Sequence, residues 1–79
     1  IFANRKYAIL QIEFARVGAH NPGPKAMSML DLGNPELSWV DLAKGMGMPA
    51  WRATTLDEFN SALARSLSES GPSLIEAIV

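Results

Sequence analysis

Short apolar runs alternate with helix-period segments along the whole chain, and that alternation leaves few folds open. Ile1 to Ala3 reads as the end of a buried strand, Trp51 to Thr54 as a second strand and Ser73 to Val79 as a third, with Glu76 the only charge in the last. Helical segments lie between them, giving the order strand, helix, long loop, helix, strand, helix, strand. Strands separated by helices are joined by crossover connections, which make neighbouring strands parallel. The expected class is therefore α/β, a partial parallel sheet with covering helices. Three short strands are few for a parallel sheet, whose two faces both need cover.

Local signals place the helices. Asn4 is a good helix N-cap. After it, Tyr7, Leu10, Phe14 and Val17 fall on one face of a helix spanning Tyr7 to Val17. Ile9 and Ile12 lie on other faces, and a helix apolar on more than one side is normally covered on more than one side. That helix is expected to be largely buried in a full protein, and Gly18 stops it. Asn34-Pro35-Glu36 reads as a helix start, with an Asn cap, Pro at the first position and an acid in the first turn. Trp39, Leu42, Ala43 and Met46 form the stripe of that helix, and Gly45, Gly47 and Pro49 end it. Thr55-Leu56-Asp57-Glu58 is a capping box, in which Glu58 is expected to reach back to the cap. Leu56, Phe59, Leu63 and Leu67 then give a helical stripe, broken by Ser70-Gly71-Pro72.

Charge and composition narrow the function classes. Seven Lys and Arg against eight Asp and Glu give a net charge of −1, the wrong balance for a nucleic-acid footprint. Cysteine is absent, which excludes a disulfide scaffold and a cysteine zinc site. No apolar run approaches the roughly 18 residues of a membrane span, and no signal peptide is visible. By elimination the expected compartment is the cytosol. The 79 residues allow one domain, residues 1–79. Both ends are apolar and strand-like, where natural domains are usually polar and frayed. The expectation is a piece of a larger fold.

Few residues carry obvious chemistry. His20, the single histidine, sits in the turn-rich run His20-Asn21-Pro22-Gly23-Pro24 with no nucleophile motif beside it, and reads as a solvated loop residue. Glu36, Asp41, Asp57, Glu58 and Glu69 sit at caps or on polar faces. Glu13 is placed differently, since its helix is apolar on two sides; it either faces a ligand or lies on the surface. No Walker loop and no Gly-x-Gly-x-x-Gly occurs. Asn4 has the sharpest reading. It stands at the carboxyl end of a strand, the edge where open α/β sheets bind ligands. An Asn side-chain oxygen and backbone carbonyls are hard ligands suited to Mg²⁺, and a helix N-terminus favours anions such as diphosphate. A Mg-phosphate site and a simple helix cap both remain open there.

Four segments in order resemble the thiamine-diphosphate-dependent enzymes of the acetolactate synthase large subunit and benzoylformate decarboxylase type. Ala3-Asn4-Arg5-Lys6-Tyr7-Ala8-Ile9-Leu10 is similar to the downstream half of the cofactor motif, where a strand ends in Asn-Asn. Asn34-Pro35-Glu36-Leu37 through Gly47 resembles the family's Asn-Pro-Asp-Phe helix. Thr54 to Phe59 resembles the capped helix that follows it, and Gly71-Pro72-Ser73-Leu74-Ile75-Glu76-Ala77 the closing Gly-Pro-x-Leu-Ile-Glu strand. The first Asn of the pair is Ala3 here, and the Gly-Asp-Gly half of the motif is not in these residues.

The resemblance implies the C-terminal part of a thiamine-diphosphate-binding fold within an enzyme acting on 2-keto acids, a lyase or transferase. It implies thiamine diphosphate and Mg²⁺ as cofactors of the full-length protein. The Asn4 side chain and the Lys6 backbone carbonyl take the metal-ligand roles, and Ile9, Leu10 and Glu13 line the cofactor pocket. It further implies the upstream part of the same chain as a partner, a homodimer or higher homo-oligomer, and an inactive isolated segment. Against it stands a small non-catalytic α/β protein-interaction module. Neither reading involves nucleic acid or a membrane.

Overall fold

The computed structural model describes residues 1–18 and 23–79, so His20 lies outside the described residues. In chain order the elements are β1 (Phe2–Ala3), α1 (Ala8–Arg16), α2 (Pro24–Ser28), α3 (Trp39–Gly45), β2 (Ala50–Ala53), α4 (Leu56–Ser68) and β3 (Leu74–Ile78). The expected α/β order holds, with a one-turn helix, α2, added inside the long connecting segment. Pro24 at its first position is pre-set for helical φ. Two compact units result. One comprises Ile1–Asn4 with Ser38–Val79, and the other Arg5–Leu37.

The first unit is a three-stranded parallel sheet in the order β1-β3-β2. Register sets Phe2 beside Ala77, Ala77 beside Ala53, and Glu76 beside Arg52. The crossover from β1 to β2 and the one from β2 to β3 run in opposite directions along the sheet. Right-handed crossovers therefore put α3 and α4 on opposite faces, and each packs on β2 and β3.

The core of this unit is built from small side chains. Ala43 and Ala53 are each 2% exposed, and Ala3, Ala50, Ala62 and Ala77 are buried with them. Helix and sheet backbones approach closely across these methyls. That close approach corrects the expected stripes. On α4 the face toward the sheet runs through Phe59, Ala62 and Ser66, while Leu56 and Leu67 are exposed. On α3 the buried residue is Ala43, with Leu42 and Met46 exposed. The larger apolar side chains sit beside the sheet-facing row instead of in it.

The caps also differ in detail from expectation. The helix start expected at Asn34-Pro35-Glu36 lies four residues later. Ser38 is extended and its hydroxyl accepts from the Asp41 amide at 3.3 Å, so Ser38 is the cap that begins α3. The Asn34–Pro35 peptide is cis. At α4, Thr55 is the cap, accepting from the Glu58 amide at 3.1 Å. Glu58 reaches back one residue further than a capping box requires, accepting from the Thr54 amide at 3.0 Å and from the Thr54 hydroxyl. Gly47 and Gly71 take positive φ of 81° and 94° after α3 and α4, a region that costs a residue with a Cβ roughly 1–2 kcal/mol.

In the second unit, α1 carries no buried residue, and Ile9 and Ile12 are 63% and 55% exposed. Leu30 is the buried apolar side chain here. An antiparallel bridge joins Lys6 to Asp31, through Tyr7 N–H to the Leu30 carbonyl and Leu32 N–H to the Arg5 carbonyl. Among the described residues, no helix is long and apolar enough to cross a membrane.

Candidate cofactor and metal site

The sheet unit ends its first strand at Ala3, and Asn4 follows it at the carboxyl edge, exposed. That is the placement the sequence predicts for a ligand-binding Asn. The helix-cap alternative does not survive. α1 begins at Ala8, its cap position is Tyr7, and no side chain caps it. The physical reason is the backbone of Arg5, which takes φ of +58°. A left-handed residue turns the chain out of both strand and helix, and the helix starts only at Ala8.

Arg5 is the one non-glycine residue with positive φ among those described. Such a backbone costs about 1–3 kcal/mol and persists where the surroundings determine it. Here Arg5 is held on two sides. Its carbonyl accepts from Leu32 N–H at 2.7 Å, and its guanidinium pairs with Glu36 at 2.7 Å. The pair is 39% and 54% exposed, so water screens most of its Coulomb energy.

Lys6, Ile9, Leu10 and Glu13 belong to the second unit. The Lys6–Asp31 bridge draws its hydrogen bonds from Arg5 and Tyr7; a metal-ligand role is expected for the Lys6 carbonyl. Ile9 and Leu10 are 63% and 43% exposed on the first turn of α1. Glu13 accepts from Arg16 at 2.9 Å, an i,i+3 pair whose acid is 47% exposed. Its arrangement is that of a surface ion pair on a helix.

The donor chemistry fits the edge of a Mg²⁺ site. An exposed Asn amide oxygen and a backbone carbonyl are neutral hard oxygens, the donors Mg²⁺ takes alongside carboxylate and phosphate. Among the described residues, no group of three or more His, Asp or Glu side chains is placed to hold a metal. A Mg²⁺ here would take its anionic ligands from a diphosphate and from groups outside this chain's own donors.

A further feature was not legible in the sequence. Phe2, Ala53, Phe59, Ala77 and Val79 help to line an apolar cavity of about 390 Å³ at the carboxyl edge of the sheet, beside the first turn of α4. Three segments distant in sequence supply its walls. Register is what assembles them, and register is not written in any one segment.

Comparison with known proteins adds to this geometry. The chain is 49% identical over 80 aligned positions, its full length, to a Mycobacterium tuberculosis (strain ATCC 25618 / H37Rv) protein named "Putative acetolactate synthase large subunit IlvX". The similarity runs along the whole of this chain. It spans 16% of that relative's length. No protein-family model matches it, and no solved structure does.

Proposed function

We propose that this chain is part of a thiamine-diphosphate- and Mg²⁺-dependent enzyme that acts on 2-keto acids by acetolactate-synthase-like decarboxylation and carboligation. The observation that carries the reading is the 49% identity along the whole chain. Two structural features support it: the parallel sheet, and an exposed Asn4 at the carboxyl end of a strand.

When bound, thiamine diphosphate supplies the electron sink that cleavage beside a keto group requires. The residues of this chain hold and enclose. The Asn4 side-chain oxygen and the Lys6 carbonyl would complete the coordination of Mg²⁺. Ile9 and Leu10 present apolar surface that would exclude water from the pocket wall, with Glu13 at its margin. The reading brings with it a cytoplasmic enzyme, a homodimer or higher homo-oligomer, in which the remainder of the polypeptide is the first partner of this segment.

The test is CO₂ release by the intact polypeptide with Mg²⁺ and thiamine diphosphate. An aliphatic and an aromatic 2-keto acid are compared, which separates acetolactate-synthase-like from benzoylformate-decarboxylase-like chemistry. Turnover of either that requires both cofactors supports the reading, and the isolated 79-residue chain is expected to be inactive. Turnover of neither, by a folded polypeptide that also fails to bind the cofactor, would overturn it.

A further inference from the structure

A backbone carbonyl is aimed by its own peptide plane. The Lys6 carbonyl shares a planar trans peptide with the Tyr7 N–H, so the two point in opposite directions. The Tyr7 N–H donates to the Leu30 carbonyl at 2.9 Å. The Lys6 carbonyl is therefore directed away from Leu30. The preceding peptide is held in the same way. The Arg5 carbonyl accepts from Leu32 N–H at 2.7 Å, which directs the Lys6 N–H away from Leu32. A hydrogen bond on each side of Lys6 thus sets the direction of its carbonyl.

The segment that makes these bonds is itself anchored. Leu30 is buried. The amides of Leu30 and Asp31 donate to the Met27 and Ser28 carbonyls at 3.1 and 3.3 Å, and the Asp31 carboxylate accepts from Gly33 N–H at 2.8 Å. Side chains make a further tie: the Arg5 guanidinium pairs with Glu36 at 2.7 Å. Arg5 is thus gripped twice, through its carbonyl by Leu32 and through its side chain by Glu36. A residue at φ of +58° needs such a grip, because its backbone is otherwise more favourable elsewhere. A change in the Arg5 turn rotates the peptide planes that follow it, the Lys6 carbonyl included.

We infer that Glu36 is a positioning residue for the metal. By pairing with Arg5 it holds the left-handed turn, and through that turn it aims the Lys6 carbonyl at Mg²⁺. This deepens the functional reading above and rests on it. Mg²⁺ is the ion for which aim matters most, because it demands near-ideal octahedral geometry, whereas Ca²⁺ accepts a flexible one. The pair is 39% and 54% exposed, so water screens its charge. What Glu36 contributes is direction more than stability.

The test is isothermal titration of thiamine diphosphate into the intact polypeptide at stepped Mg²⁺ and, separately, at stepped Ca²⁺. The natural sequence is compared with Glu36→Ala, Arg5→Ala and the double variant. In Glu36→Ala the half-saturating Mg²⁺ concentration rises about threefold to fivefold, the size a screened pair supports. The half-saturating Ca²⁺ concentration rises less, and the urea unfolding midpoint is unchanged. Arg5→Ala gives the same rise and the double variant no further one, because the two residues act as a unit. Amide exchange at Tyr7 reads the aim with no cofactor present. It becomes about threefold faster in Glu36→Ala, while exchange at Ala77 in the sheet stays as it was. An equal rise for both metals marks a merely structural role and overturns the inference, as does unaltered Tyr7 exchange. Mg²⁺-dependent binding that is indifferent to Glu36 overturns this inference alone. A folded natural polypeptide with no Mg²⁺-dependent binding overturns the functional reading and this inference with it.

Discussion

Replacing Glu58 separates two effects at the start of α4. The carboxylate accepts from the Thr54 amide at 3.0 Å and from its hydroxyl at 3.2 Å, and it carries charge in the first helical turn. Glu58→Ala loses both. A net hydrogen bond at this exposed end is worth about 0.5–1.5 kcal/mol, and the charge beside the helix dipole about 0.3–1 kcal/mol. The expected total is about 1–2 kcal/mol. Glu58→Gln keeps an acceptor oxygen for Thr54 and loses the charge, so its cost stays near the dipole value. Thr55→Ala removes the cap oxygen from the Glu58 amide and costs about 1 kcal/mol. Because the urea slope rises with polypeptide size from about 1 kcal/mol per molar for a small domain, Glu58→Ala lowers the unfolding midpoint of the intact polypeptide by less than about 1–2 M. Urea unfolding of the intact polypeptide, followed by circular dichroism, reads the global cost. Amide exchange at Thr54 and Glu58 reads the local one. If Glu58→Gln proves as damaging as Glu58→Ala, the reach-back hydrogen bonds contribute nothing and the account of this cap is wrong.

Other expectations follow from packing and backbone. Ala43→Leu forces a larger side chain into the close approach of α3 on the sheet, where Ala43 is 2% exposed. It should cost about 1–3 kcal/mol in urea unfolding. Leu42→Ala, one residue away but 58% exposed in this chain, should cost less in the isolated chain. Arg5→Val places a β-branched side chain at φ of +58°. It should be about 1–2 kcal/mol less stable than Arg5→Gly, because glycine reaches that region without the Cβ clash; a difference near zero would mean the turn relaxes at no cost.

Class and order of elements could be read from the sequence because they depend on local patterns. Strand-like runs separated by helical periods dictate crossovers, and Gly18, Gly47 and Gly71 stop helices through backbone conformation alone. Which side of a helix faces the sheet was not legible. Leu56, Leu63 and Leu67 make the more hydrophobic stripe, yet Ala62 is the residue against the strands. A sheet of alanines is approached closely only by a small side chain, and that depends on what lies opposite. Asn4 illustrates the same limit at the site. Its position at a strand end was readable, but its failure to cap α1 depends on the left-handed turn at Arg5, which no residue preference announces. Ser38 displaced Asn34 as a cap because both are good caps locally, and only the placement of α3 selects between them.

The central claim concerns Asn4. It is tested most directly by isothermal titration of thiamine diphosphate into the intact polypeptide, with and without Mg²⁺, for the natural sequence and for Asn4→Ala. The account predicts binding that requires Mg²⁺ and is weakened at least about tenfold by Asn4→Ala, a loss of about 1.4 kcal/mol or more, in a variant whose unfolding midpoint is unchanged. Mg²⁺-dependent binding of equal strength in both proteins would contradict the metal-ligand assignment. No Mg²⁺-dependent binding in a folded natural polypeptide would contradict the cofactor itself.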